Sequence, residues 1–182
     1  VDLRDDDQLI GVAITDGSKD IMLFTSAGKA VRFNESAVRA MGRTACGVRG
    51  VKLEDGQEVI SLIVENEGHI LTVTENGYGK RTRMSEYPTK GRGGKGMKSI
   101  KTSDRNGDQV GAALVNDTDE VMLITDGGTL VRTPVADVSV MGRDTQGVRM
   151  IRLSEGEKLI GIERVMSLGD ADDVDPEADV EE

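Results

Sequence analysis

The chain has 182 residues, enough for one buried core, but no Trp and only two Phe and two Tyr, so whatever core it builds must be aliphatic. Its one cysteine, Cys46, excludes an internal disulfide framework, and no Cys/His cluster has metal-ligand spacing. The formal net charge of −10 is unevenly placed: residues 170–182, DADDVDPEADVEE, hold eight acidic groups and no basic one, and without them 25 acidic groups face 23 basic ones. An acidic sum therefore does not exclude a polyanion as partner of the body. No basic leader precedes an apolar run and no stretch approaches 18 consecutive apolar residues, so neither a signal peptide nor a membrane partner is expected. The single thiol fits a reduced cytoplasmic setting, and the acidic start VDLRDDDQ reads as part of a longer soluble protein.

In chain order, strand-length apolar or β-branched runs alternate with turn residues. The first unit offers LIGVAIT (9–15), IMLFTS (21–26), KAVRF (29–33) and VRGVKL (48–53). The second offers SLIV (61–64), HILTVT (69–74), YGKRT (78–82) and MKSIK (97–101), and the third GAALV (111–115), EVMLIT (120–125), TLVRT (129–133) and VRMIRL (148–153). No run shows a 3.6-residue period, which excludes helical repeats, and the absence of Trp excludes a WD40 pattern.

The units are copies of one another. TSAGKAVRF at 25–33 recurs as TENGYGKRT at 74–82 and TDGGTLVRT at 125–133, which aligns Gly28, Gly77 and Gly128, and likewise Arg32, Arg81 and Arg132. GRTACGVR at 42–49 recurs as GRGGKGMK at 91–98 and GRDTQGVR at 142–149. Four strands in a period of about 50 residues is the pattern of a propeller blade. The expected organisation is the end of a preceding blade at 1–8, blade repeats at 9–58, 59–109 and 110–158, a closing strand at 159–169 and a disordered acidic tail at 170–182. The fold class is all-β, a partial propeller-like repeat of about three four-stranded blades.

The segment GRGGKG at 91–96 invites a phosphate-loop reading, since glycines and cations together let backbone amides approach a phosphate. Its threefold recurrence argues against a mononucleotide cradle, as does the missing Ser or Thr after Lys95. Cations recurring on successive blades make a basic rim, which suits a long curved polyanion, duplex DNA, bound through its phosphates without base readout. The candidate contacts are Lys29, Arg32, Arg43, Arg49, Lys80, Arg81, Arg83, Lys90, Arg92, Lys95, Lys98, Arg132, Arg143 and Arg149, with Lys101 closing the most basic span. Few aromatic residues are present to stack on single strands. Cys46 takes the loop position held by Lys95 and Gln146. Tyr78 and Tyr87 lack an acidic cluster that would make either a nucleophile in a metal-assisted site, His69 has no triad, and no catalytic or metal-ligating residue is nominated.

VMLITDGGTLVRT, SVMGRDTQGVR, MLFTSAGKAVRF and ENGYGKRT with EYPTK resemble the C-terminal domain of the bacterial DNA gyrase A chain, over the sequence up to about Val165. The resemblance implies a β-pinwheel that bends and wraps duplex DNA in support of ATP-dependent negative supercoiling. Catalytic residues and ATP would then lie outside this chain, which needs no cofactor of its own. The implied partners are double-stranded DNA and the remainder of the gyrase holoenzyme, its A and B chains, in the bacterial cytoplasm. That family has six repeats, so the chain is expected to be the C-terminal half of such a domain, with the gyrase box Q-R-R-G-G-K-G upstream of Val1 and GRGGKG a later blade's loop. Half a ring also makes self-association an expectation. The alternatives are the related domain of the topoisomerase IV A chain and a propeller used as a protein-interaction scaffold.

Overall fold

The computed structural model describes Leu3, Asp5 and residues 7–165. The acidic tail at 170–182 and the end of the closing strand lie outside the described residues. Eleven strands are present among them: β1 (Asp20–Thr25), β2 (Lys29–Asn34), β3 (Val59–Val64), β4 (His69–Thr74), β5 (Tyr78–Arg83), β6 (Met97–Lys98), β7 (Gln109–Val115), β8 (Glu120–Thr125), β9 (Leu130–Pro134), β10 (Val148–Arg149) and β11 (Leu159–Val165). One-turn 3₁₀ helices follow β2, β5 and β9. No helix among the described residues is long and apolar enough to cross a membrane.

Three antiparallel sheets form, in strand order β3-β1-β2-β6, β7-β4-β5-β10 and β11-β8-β9. Each is built on a hairpin of the repeated T-x-x-G type. Its tip glycine has a left-handed backbone, φ 70° at Gly28 and 79° at Gly77, and a Cβ there would meet the carbonyl oxygen of Ile100 at 2.3 Å or of Ile151 at 2.7 Å. That approach is functional for the fold: Ser99 and Ile100 donate their amides to Gly28 O (2.7 and 3.2 Å), and Met150 and Ile151 do the same to Gly77 O (2.9 and 3.3 Å). The outermost strand of the first two sheets therefore comes from the following repeat, with Lys29 opposite Lys98 and Tyr78 opposite Arg149. Within the hairpin the register sets Met22 against Arg32 and Leu71 against Arg81.

The expected units 9–58, 59–109 and 110–158 consequently do not coincide with sheets. VISLIV at 59–64 pairs with β1 of the hairpin before it, and β7 and β11 likewise pair backwards with β4 and β8. LIGVAIT at 9–15 has the same pattern but no preceding hairpin among the described residues; it forms no strand, and Val12 and Ile14 are 78% and 99% exposed. VRGVKL at 48–53 aligns with β6 and β10 and is unpaired as a strand for the same reason.

The core lies between adjacent sheets. Met22, Phe24, Ala30, Ile63, Ile70 and Tyr87 fill the first interface, and Phe24 meets Tyr87 edge-on at 6.2 Å between centroids. Leu71, Val115, Val121, Val135 and Val138 fill the second, extended by Val73, Leu123, Ile151 and Leu159. Aliphatic side chains carry the second layer, whereas the first takes in two of the chain's four aromatic rings. The inner strands touch as well, Ser61 Oγ accepting the amide of Ala112 at 3.0 Å.

Candidate nucleic-acid interface

The fourteen cations singled out from the sequence fall into three structural groups. The repeated hairpin arginines face inward across blade boundaries. Arg32 donates Nε to Asp20 Oδ2 (2.9 Å), Nη1 to the carbonyls of Tyr87 (2.9 Å) and Met84 (3.3 Å), and pairs through Nη2 with Glu65. Arg81 repeats this one blade on, donating Nε to Val138 O (2.7 Å) and Nη2 to Ala136 O (3.3 Å) and pairing with Asp117. Their side chains are 12% and 8% exposed, so they latch one sheet to the 3₁₀ turn of the next and are not part of the rim. Arg132, with no following blade among the described residues to reach, is 58% exposed and pairs with Glu120. Lys80 is fully buried, its Nζ donating to the carbonyls of Gly142 and Arg143, each at 2.5 Å. Burial pushes that ammonium down to about 8, against the raising influence of Glu86 and Asp144. Arg32, Arg81 and Lys80 are thus withdrawn from the phosphate-contact set, because their donors are spent inside the fold.

The second group belongs to the G-R-x-x-x-G loops, and here the role of GRGGKG becomes concrete. Arg92 donates to Ala37 O (3.1 Å) and Arg49 O (2.9 Å), Gly93 N donates to Gly50 O (2.6 Å), and Gly94 O accepts Lys52 N (2.8 Å). The next loop repeats the stitch, with Arg143 donating to Lys98 O (2.9 Å) and Thr145 O accepting Lys101 N (2.9 Å). Each loop is therefore sewn to the basic segment of the loop before it. Arg92 and Arg143 are half-buried, each with part of its guanidinium committed to these carbonyls, whereas Arg43 is exposed.

The third group is the open one. Arg49, Lys98 and Arg149 are all exposed, Lys98 and Arg149 at the outermost position of their sheets, and Lys52, Lys101 and Arg152 are exposed three residues further on. Arg83, Lys90 and Lys95 are exposed, and Lys29 is half-buried opposite Lys98. Carboxylates temper some of these charges: Lys98 Nζ meets Asp144 at 3.0 Å and Lys95 Nζ meets Glu54 at 3.5 Å. Hydrogen bonding and charge from Lys98 hold the Asp144 carboxyl below its ordinary range. Lys52, Arg105 and Arg152 were not among the sequence candidates. The first and third are legible once the alignment of Arg49, Lys98 and Arg149 is carried three residues on, as V-R-G-V-K, M-K-S-I-K and V-R-M-I-R. Arg105 sits in a turn that the middle repeat lengthens by one residue, seen by counting Lys101 to Gln109 against Lys52 to Val59 and Arg152 to Leu159, the residues that pair with the hairpin threonines.

Sheets built from one repeat's hairpin and the next repeat's basic strand, with an exposed cation at the outer edge, define a propeller-type all-β domain with a basic perimeter. The family model described as DNA gyrase C-terminal domain, beta-propeller, matches residues 19–64, 68–116 and 119–166, and the chain belongs to that family. Each matched segment runs from a hairpin to the inner strand that pairs back with it, and β6 and β10 fall in the segment after the one whose sheet they complete. The DNA gyrase A chain of Salmonella typhimurium is 57% identical over 176 residues, 96% of this chain and 20% of that protein. Its counterpart in Escherichia coli is 54% identical over 176 residues, with the same two shares. That of Haemophilus influenzae is 52% identical over 211 residues, 100% of this chain and 24% of it. The chain thus spans about a fifth to a quarter of the length of these relatives. Among solved structures, a DNA gyrase A C-terminal domain is similar with a TM-score of 0.76 and 30% identity, over 82% of this chain and 51% of the other. The C-terminal domain of a DNA topoisomerase IV is similar with a TM-score of 0.84 and 26% identity, over 90% and 52%.

Proposed function

We propose that this chain binds duplex DNA along the outer edges of its sheets, as the non-catalytic DNA-wrapping part of a gyrase A chain. The observation that carries the reading is the recurrence of exposed cations at Arg49 and Lys52, Lys98 and Lys101, and Arg149 and Arg152, once per repeat, with Lys98 and Arg149 on the strands that form outer edges. Backbone phosphates recur along a duplex, and a curved row of cations meets them without reading bases. Bending the duplex around successive blades places DNA where the rest of the gyrase A chain, with the gyrase B chain and ATP, supports negative supercoiling in the bacterial cytoplasm. Sequence likeness of 52–57% to gyrase A chains favours gyrase over topoisomerase IV, although the topoisomerase IV structure is the better geometric match.

The test is duplex binding as a function of salt for the wild type and for a variant with Lys98, Lys101, Arg149 and Arg152 changed to Gln. Log affinity falls with log salt by about 0.9 per phosphate neutralised, so the variant is expected to lose roughly 3 to 4 units of slope. An unchanged slope removes the outer strands from the DNA path. Absence of wild-type binding at low salt, with a protein partner retained by the variant, favours the scaffold reading.

A further inference from the structure

The perimeter's cations are not electrically alike. Arg132, Lys95 and Lys98 each face a carboxylate. Arg105 and Arg149 face none among the described residues; they face each other across one phenol. Arg149 Nη2 donates to Tyr78 Oη at 2.9 Å and Arg105 Nε reaches the same oxygen at 3.4 Å, their guanidinium carbons 5.4 and 5.0 Å from the ring centroid. Two guanidiniums converging on one neutral acceptor leave about two positive charges uncompensated at a surface site, and each retains further N–H donors. Both hydrogen bonds and both charges draw the Tyr78 hydroxyl below its ordinary titration range, which reports the same excess of positive potential.

The site is held from three directions. Arg105 lies in the turn that only the middle of the three repeats lengthens, by one residue. Asn106, fully buried, ties that turn down by donating to Lys101 O (2.9 Å) and Gln146 O (3.2 Å) while accepting from Ser103 N (2.8 Å). Gln146 in turn accepts from Arg105 Nη1 at 3.5 Å, and Asn76 in the hairpin turn donates to Arg105 O at 3.3 Å. Positions 46 and 95, which align with Gln146, hold Cys and Lys, so the arrangement is not a feature of every repeat.

We propose that Arg105 and Arg149 form a seat for a single phosphodiester, bridging the middle and third repeats, with Tyr78 as the residue that positions both guanidiniums. This rests on the duplex-binding reading above and adds a point of fixed register to the perimeter. Two planar guanidiniums donating to one phosphate supply the paired geometry that lysines on the outer strands cannot.

The experiment is duplex binding against salt for the full chain and for Arg105→Gln, Arg149→Gln and the double variant, with Tyr78→Phe as the positioning variant. Each single change is expected to lower the salt slope by about one unit, and the double by about one rather than two, because both side chains serve one phosphate. Tyr78→Phe keeps the charge and is expected to weaken binding several-fold with its slope unchanged. Wild-type slopes in both single variants overturn the seat while leaving the perimeter intact. If the wild type binds no duplex, the perimeter reading fails, and the seat is decided by titrating inorganic phosphate while following the Tyr78 ring and arginine Nε–H resonances. Shifts that vanish in Arg105→Gln uphold the seat, and no shift in the wild type overturns it.

Discussion

Arg32 donates Nη1 to the carbonyl oxygen of Tyr87 at 2.9 Å, although 55 residues separate them along the chain. The contact joins the second strand of one hairpin to the turn that ends the next. Arg81 makes the equivalent reach to Val138. Arg32→Gln leaves Asp20 and the carbonyls of Met84 and Tyr87 without a cationic donor in a largely buried place, and is expected to cost about 3–5 kcal/mol. Arg132→Gln, which removes an exposed pair, is expected to cost under about 1 kcal/mol. Chemical denaturation of the two variants checks the ranking; comparable losses at Arg32 and Arg132 would remove the latch.

Lys80 gives a pH signature. Its folded-state value of about 8 lies below the ordinary lysine range because burial penalises the ammonium. Below pH 8 the folded and unfolded chains are both protonated there and the folded chain bears the full cost of the buried charge. Between that value and about 10.4 the unfolded chain binds more protons, so this group's contribution to stability rises with pH. Lys80→Met removes that dependence along with the two carbonyl contacts. The difference in melting temperature, wild type minus variant, is expected to grow in favour of wild type from about pH 7 to about pH 10. A constant difference would refute the assignment.

The hairpin glycines separate strain from close approach. Gly28 and Gly128 both have positive φ, 70° and 81°, but a Cβ on Gly28 strikes Ile100 O at 2.3 Å whereas one on Gly128 meets nothing within 4 Å. Gly128→Ala is expected to cost about 1 kcal/mol for backbone strain alone. Gly28→Ala is expected to cost more and to detach the outer strand, read as faster amide exchange at Ser99 and Ile100, whose donors bond Gly28 O.

Much of this fold was legible because the repeat is strong. Aligning Gly28, Gly77 and Gly128 locates every hairpin, and the apolar runs locate the inner strands. Which hairpin each inner strand joins was not legible: VISLIV at 59–64 reads equally well as the start of one unit or the end of another, and only the register with Ile21–Thr25 decides it. The site divides in the same way. Periodic cations look alike in sequence, yet Arg32 and Arg81 sit in the hairpin facing the next blade's turn, while Lys98 and Arg149 lie on the strands that form outer edges. Burial, set by the strand's place in the sheet, separates a latch from a rim, and no local pattern encodes it. The insertion that brings Arg105 to Tyr78 is visible as a length difference, but its geometry depends on Asn106 and Gln146 from two repeats.

Asp144 tests whether perimeter charge is held in reserve. Its carboxylate accepts both hydrogen bonds from the Lys98 ammonium at 3.0 Å, with both side chains more than half exposed, so the pair contributes little to folding and mainly cancels charge where phosphate is proposed to lie. Asp144→Asn removes one negative charge from the rim and frees Lys98 for phosphate. Duplex affinity is expected to rise several-fold at low salt and the slope of log affinity against log salt to steepen by up to about one unit. Stability should change by less than about 0.5 kcal/mol, since no buried group loses a partner. If affinity rises with no change in slope, Asp144 acts by long-range repulsion and Lys98 makes no phosphate contact; if neither changes, the outer strand of the first sheet lies off the DNA path.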